Sequence, residues 1–191
     1  MAALAIGLAL LSVQLILIVA LLVFILQAVI FLISGRLDVP YVPTRQKYLE
    51  TIVSAVGAKP SDIVYELGCG DGRFLISAWK KEPAAKYVGI ERNPLLVVLV
   101  RFRLFLAGNP ENIVLRRGDF FKTDLSQATR VYAYLLPGVM EALLPKCERE
   151  LKNALFVSNT FSFPRKTAMR SVQLSKQGRF TGERYLYTYE F

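Results

Sequence analysis

The chain has no histidine and only two cysteines, Cys69 and Cys147, in 191 residues. Two cysteines without histidine cannot complete a four-ligand structural zinc site, so we predict no metal. They also provide no disulfide framework, and we expect two thiols in a reducing compartment. Since histidine is absent, any general base in this chain must be a carboxylate, a tyrosine or water.

Charge is absent from the first 35 residues, and the first charged residue is Arg36. Residues 15–33 are Leu, Ile, Val, Ala and Phe, with Gln27 as the exception. A bilayer core requires about 20 such residues in a helix. A cleaved signal peptide instead has a basic start and an apolar core of roughly 7–15 residues. We therefore expect one transmembrane helix, with residues 1–35 as the anchor and the membrane lipid bilayer as a partner.

Basic residues follow the apolar segment at Arg36, Arg45 and Lys47. The positive-inside rule then predicts a single-pass membrane protein with its catalytic domain on the cytoplasmic side, or on the matrix side in a mitochondrion. The net charge of +9 suits anionic lipid headgroups or an RNA substrate. No RNA-binding motif is visible, so nucleic acid is the less favoured partner.

Strand and helix patterns alternate after a proline-containing linker at residues 36–43. This alternation predicts an α/β domain at residues 44–191 with a mostly parallel sheet, closed by an antiparallel C-terminal hairpin at residues 171–175 and 185–191. Thr44 is the expected N-cap of the first helix of this domain. Helices are expected at residues 45–56, 73–80, 94–107 and 139–151. Strands are expected at residues 63–67, 87–91, 112–116, 130–135 and 154–158.

The stretch from Val64 to Arg73 runs from an apolar strand through Glu66 and three glycines into a helix. Glycine lets the backbone turn sharply and approach a ligand, because no Cβ intervenes. Acidic residues in this turn disfavour a pyrophosphate, which prefers N–H groups and positive charge. They suit a ligand with hydroxyls, an amino group or a cationic centre. A structural turn without a ligand is the alternative.

This stretch resembles the first S-adenosylmethionine (SAM) motif of the class I methyltransferases, E/D-x-G-x-G-x-G. The resemblance implies a Rossmann-like fold and SAM as cofactor. Sites in such sheets form beyond the carboxyl ends of strands. Glu91 there suits ribose hydroxyls or is a solvated acid, and Asp119 either binds adenine or caps a turn. The predicted cofactor-binding residues are Glu66, Gly68, Cys69, Gly70, Asp71, Gly72, Glu91, Asn93, Asp119 and Phe120.

Two residues at the end of the fourth strand and just beyond it, Tyr134 and Pro137, are the catalytic candidates. Many amino-methylating enzymes carry a D/N-P-P-Y/F motif at this place, and this chain lacks it. Tyr134 and Pro137 are therefore predicted only as walls near the transferred methyl group. Core packing is the alternative for a tyrosine at such a position.

Three further segments narrow the resemblance: residues 40–44 (P-Y-V-P-T), 134–137 (Y-L-L-P) and 162–164 (S-F-P). With the apolar N-terminus, they resemble the membrane-anchored lysine methyltransferases of mitochondria and their prokaryotic relatives. Animal members modify the ATP synthase c subunit and the adenine nucleotide translocase. The resemblance implies a membrane or membrane-associated protein substrate bearing a target lysine, with Pro43 and Thr44 at the substrate entrance. An RNA methyltransferase, a small-molecule or lipid methyltransferase, and a non-catalytic SAM-binding membrane scaffold stay open as alternatives.

Overall fold

The computed structural model describes residues 2–34, 41–178 and 182–191, and the chain divides into two units, Met1–Pro40 and Tyr41–Phe191. The first unit contains α1 (Ala2–Ser34), whose side chains at residues 10–25 are exposed. Among the residues described, no helix combines the length and apolarity needed to cross a membrane. The predicted transmembrane helix is therefore not confirmed, and most of the predicted linker lies outside the described residues.

Seven strands in the described part of the second unit form one sheet in the order β3-β2-β1-β4-β5-β7-β6. Their bounds are β1 (Ile63–Leu67), β2 (Lys86–Glu91), β3 (Ile113–Arg117), β4 (Arg130–Ala133), β5 (Leu155–Asn159), β6 (Arg170–Gly178) and β7 (Gly182–Glu190). Neighbours among β1 to β5 pair in parallel, whereas β7 pairs antiparallel with β5 and with β6. The predicted α/β fold, with a mostly parallel sheet and a C-terminal antiparallel hairpin, is confirmed.

Four helices accompany this sheet: α2 (Gln46–Val56), α3 (Arg73–Lys81), α4 (Pro94–Leu106) and α5 (Pro137–Glu150). Helix α2 shows why they fold, because its apolar residues recur every three or four positions and bury one face. Its end is set by Gly57, which has a φ of +55° and donates its N–H to the Val53 carbonyl at 2.9 Å. Glycine adopts this left-handed conformation without a Cβ penalty.

The strand order reverses between β1 and β4, because β2 and β3 extend from one side of β1 and β4 and β5 from the other. Leu67 at the end of β1 is in register with Ile90 on one side and Ala133 on the other. The carboxyl ends of the three central strands therefore meet at one edge. Open α/β sheets bind ligands in the crevice at such a reversal.

Several predicted boundaries are wrong in detail. Thr44 is not the N-cap of α2; that position is Arg45, which makes no side-chain cap hydrogen bond. The Thr44 hydroxyl lies instead 3.2 Å from the Tyr132 hydroxyl. Strand β4 ends two residues early, because Leu136 leads in extended conformation into a helix that begins at Pro137. The hairpin strands are longer than predicted, and residues 179–181 of their turn lie outside the described residues.

Candidate active site

The glycine loop, residues 68–72, connects β1 to α3 at the reversal point. Gly68, Gly70 and Gly72 have φ values of +70°, +56° and +73°. Other residues reach this left-handed region only at a cost, so the alternation of glycines determines the path of the loop. The tight turn predicted between the strand and the helix is therefore present in the backbone.

The loop is tied to the end of β2 by backbone hydrogen bonds and by one carboxylate. The N–H groups of Gly68 and Cys69 both donate to the Ile90 carbonyl, at 2.9 and 3.0 Å. Glu91 accepts from the Gly70 N–H through Oε2 and from the Asn93 N–H through Oε1, each at 2.8 Å. Glu91 therefore holds the turn after β1 to the turn after β2. A carboxylate offers about four lone-pair sites, so it retains capacity for a ligand hydroxyl.

Asn93 and Cys69 support this arrangement from either side. The Asn93 side chain accepts from the Leu95 N–H at 2.9 Å and caps α4. Cys69 is buried, and burial raises the pKa of its thiol well above the usual range, with the charge of Glu66 adding to the effect. The thiol therefore stays protonated and serves as a packing group within the loop.

Asp71 is committed to two arginines. Its Oδ2 lies 2.5 Å from Nη2 of Arg73 and 2.6 Å from Nη1 of Arg103 on α4. Burial opposes ionisation, but hydrogen bonds and charge from Arg73, with the charge of Arg103, outweigh it and lower the pKa of the Asp71 carboxyl. Arg73 also donates to the Thr44 carbonyl at 2.6 Å. The cluster joins the glycine loop, α4 and the segment before α2, and it carries one net positive charge.

Glu66, the second-last residue of β1, is 6% exposed, and its Oε2 has no hydrogen-bonding partner among the described residues. Burial raises the pKa of its carboxyl well above the ordinary value, and the charge of Asp71 raises it further. An unpaired buried acceptor costs about 1–3 kcal/mol. A donor group from a bound ligand would remove that cost.

Asp119 and Phe120 follow β3 and lie next to the β2 end, because the Gly118 N–H donates to the Glu91 carbonyl at 2.9 Å. Asp119 Oδ1 accepts from the Phe121 N–H at 2.9 Å, which is the turn-capping contact that the sequence left open. The Phe120 ring is half-buried and lies 4.9 Å from the Phe121 ring. Their predicted contact with adenine stays a prediction.

Comparison with known proteins assigns the chain to a family. Residues 66–170, more than half of the chain, match the ANTKMT methyltransferase domain. The chain belongs to this family. A protein-lysine N-methyltransferase of Saccharolobus islandicus (strain REY15A) is 44% identical over 119 residues, which cover 60% of this chain and 71% of the relative. The adenine nucleotide translocase lysine N-methyltransferase of Mus musculus is 35% identical over 132 residues, 68% of this chain and 56% of that protein. The chain thus spans a little more than half the length of the mouse relative.

A solved structure agrees with this assignment. The RNA methyltransferase from Salinibacter ruber in complex with S-adenosylhomocysteine has a TM-score of 0.71 and 33% identity, covering 78% of this chain and 93% of that one. The predictions of a Rossmann-like methyltransferase fold and of a SAM-dependent enzyme are confirmed. This member of the ANTKMT methyltransferase domain family is a SAM-dependent methyltransferase.

The residues at this edge fit SAM. The unpaired Glu66 oxygen suits the amino group of the methionine moiety, and the spare lone pairs of Glu91 suit ribose hydroxyls. The surplus positive charge beside Asp71 suits the methionine carboxylate. Gly68 is exposed at the loop and presents backbone without a Cβ.

Sequence reasoning missed Tyr41. A Cβ built on Gly70 would lie 2.8 Å from Cε2 of Tyr41, so the ring covers the middle of the glycine loop. Burial and the Asp71 charge raise the pKa of its hydroxyl to about 12. Pro43, two residues on, is exposed, whereas Thr44 is buried. The signal available was an aromatic residue between Pro40 and Pro43, which fix the backbone on either side.

Sequence reasoning also missed a series of buried, hydrogen-bonded polar side chains at the ends of β4 and β5. The Tyr132 hydroxyl lies 3.2 Å from the Thr44 hydroxyl and accepts from the Asn159 amide at 3.1 Å. The Thr160 hydroxyl in turn donates to Asn159 Oδ1 at 3.0 Å. Thr160 has a φ of +71°, which is an outlier for a β-branched residue and typical of functional sites. No periodicity or motif in the sequence indicates these hydrogen bonds.

The catalytic candidates lie beyond β4. Tyr134 is half-buried and packs against the core cluster, and Pro137 is exposed at the first position of α5. Both follow the strand that adjoins β1, as the prediction required, and their contact with the methyl group stays a prediction. Within the residues described, no group of three or more His, Cys, Asp and Glu side chains could hold a metal ion.

Proposed function

We propose that this SAM-dependent methyltransferase transfers methyl groups to the side-chain nitrogen of a lysine in a protein. The observation that carries the proposal is the 44% identity to a protein-lysine N-methyltransferase of which the chain covers 71%. Relatives named for the ATP synthase c subunit in Homo sapiens and for the adenine nucleotide translocase in Mus musculus act in the same reaction class.

The cofactor supplies an electrophilic methyl group on a sulfonium that is already a good leaving group. The protein's part is alignment and exclusion of water. Glu66, Glu91 and the glycine loop hold the cofactor at the reversal point, and Tyr41 covers the loop. The lysine approaches past Pro43 and Thr44, beside the end of β4. Its ammonium has a free pKa of about 10.4 and must lose a proton first. Without histidine, that proton passes to a carboxylate, a tyrosine or water.

The test is a transfer assay with membrane and soluble extracts and SAM labelled in its methyl group. Labelled protein bands, and methyl-lysine in their digests, are the expected result. Glu91→Ala should abolish labelling, because it removes both the loop contact and the ribose acceptor. Glu111→Ala is the matched control, since Glu111 is also acidic and is exposed on the turn before β3. Label only in lipid, or SAM binding without turnover on any fraction, contradicts the proposal.

An RNA methyltransferase is the second candidate, favoured by the name of the 33%-identical Salinibacter ruber structure and by the net charge of +9. The same assay separates the two. Label that ribonuclease removes and protease leaves would support RNA, whereas the opposite pattern supports a protein substrate.

We also propose that the protein works at a membrane, with the catalytic domain on the cytoplasmic side, or on the matrix side in a mitochondrion. Support comes from the absence of charge before Arg36 and from the basic residues that follow it. Alkaline carbonate extraction should leave the protein in the membrane pellet, and protease added to the opposite side should spare the domain. Full release by carbonate would refute this location.

A further inference from the structure

Helix α4 is apolar around its whole circumference, and its only polar side chains are Arg101 and Arg103. Such a helix is normally buried on every side. Here only one side is covered: Val97, Val100 and Leu104 are buried, and the helix packs against β2 and β3. The opposite side faces solvent in the second unit.

Five large apolar side chains occupy that open side. We call them the α4 stripe: Leu95, Val98, Phe102, Phe105 and Leu106 are 37%, 63%, 57%, 65% and 67% exposed. Spacings of three or four residues align them along one face. A contiguous exposed apolar patch of this kind marks an interaction site with protein or lipid.

Charge near the stripe is mostly positive. Arg101 is exposed on α4, and Arg116 and Arg117 are exposed at the end of β3, the edge strand that α4 packs against. Because neighbouring residues of a strand point to opposite faces of the sheet, only one of these two arginines lies on the α4 side. Residues 93–117 contain four arginines and one acidic residue, Glu111. An exposed apolar face with an arginine beside it provides the two contributions that bind a protein in a membrane interface, which are burial of apolar area and attraction to anionic lipid.

We propose that the α4 stripe docks on an anionic lipid surface, with Phe102 and Phe105 at the boundary of headgroups and acyl chains and Arg101 at the lipid phosphates. This contact belongs to the catalytic unit and does not depend on α1. A second copy of the chain is a poorer occupant, since a symmetric contact would bring the arginines of both copies together. Arg103 pairs with Asp71 at 2.6 Å, so the docked helix is linked directly to the glycine loop. The proposal places the methyl donor beside the bilayer, where a membrane protein presents its lysine.

The test uses the full chain bound to vesicles that contain phosphatidylglycerol. An environment-sensitive fluorophore is attached at Phe105→Cys; Cys69 and Cys147 are buried and do not compete for the label. The matched control is Met169→Cys. Met169 lies before β6, and its exposed fraction of 57% is similar to the 65% of Phe105. SAM binding by both labelled proteins verifies that they are folded.

A blue shift on vesicle binding, with quenching by brominated lipid at position 105 and not at 169, is the expected result. A label at Val98→Cys should behave like the one at 105. Vesicle-bound protein whose 105 label neither shifts nor is quenched overturns the proposal, because the chain is then held by another segment. Quenching between two labelled copies, without quenching by brominated lipid, also overturns it in favour of self-association. Equal quenching in vesicles of phosphatidylcholine alone refutes the role of the arginines.

Discussion

Replacing Gly70 with alanine should both weaken cofactor binding and destabilise the domain. Gly70 has a φ of +56°, where alanine costs about 1–2 kcal/mol. The added Cβ would lie 2.8 Å from Cε2 and 3.2 Å from Cδ2 of Tyr41, so the ring must move. The ring is 41% exposed and can turn outward, but the loop then loses its cover. The Gly70 N–H that donates to Glu91 is displaced as well. Without that donor Glu91 is no longer held in its proposed place beside the ribose, and one hydrogen bond lost between a charged group and the ligand costs about 1.5–3 kcal/mol, or roughly 10- to 150-fold in SAM affinity.

Calorimetric titration with SAM and thermal unfolding without it would separate the two effects. Gly108→Ala is the matched control, because Gly108 has a φ of +90° and nothing lies within 4 Å of its built Cβ. It should lose only the conformational cost of its own positive φ and keep its SAM affinity. Tyr41→Ala in the Gly70→Ala background should relieve the steric clash and restore part of the thermal stability without restoring SAM binding. The reasoning is refuted if Gly70→Ala binds SAM as the wild type does, or if Gly108→Ala loses as much affinity.

Three further predictions concern the buried polar groups. Because burial raises the Glu66 pKa in the folded domain, its contribution to stability is full below the ordinary value of 4.5 and is lost as pH rises through the folded value. Glu66→Gln should therefore raise the Tm of cofactor-free protein at neutral pH; a lower Tm would contradict this. The Asp71 pKa is lowered, so its contribution is lost on acidification. Asp71→Asn should cost about 2 kcal/mol in urea unfolding at pH 7, and less in high salt; an equal cost in both contradicts the ion pairs. Tyr132→Phe removes the hydroxyl between Thr44 and Asn159 and should cost about 1 kcal/mol in the same assay, whereas Tyr187→Phe, half-buried on β7, should cost less.

The parts of the site that sequence alone predicts are those whose backbone is encoded locally. Gly68, Gly70 and Gly72 specify the turn, because few other residues adopt their φ values. Glu91 follows from its distance to that turn and its place at a strand end. The sheet follows from the alternation of strand and helix patterns.

The rest could not be predicted, because it depends on contacts between distant segments. Thr44 and Tyr132 are 88 residues apart in sequence, and Asn159 is a further 27 residues from Tyr132. The expectation that Thr44 caps a helix was reasonable for its residue type, and the tertiary contact with Tyr132 overrides it. The pairing of Asp71 with Arg103 spans 32 residues and likewise arises only when α4 packs on the sheet.

The two hydrogen bonds that Glu91 accepts from Gly70 and Asn93 limit how this site can be redesigned. The acidic residue after the second strand is a usual target for changing the cofactor preference of such sheets. Here the same carboxylate closes the loop before any ligand arrives, so a substitution aimed at selectivity also releases a backbone donor in the core. A successful redesign would have to supply a new acceptor for the Gly70 N–H first. The same holds for natural substitutions of Glu91.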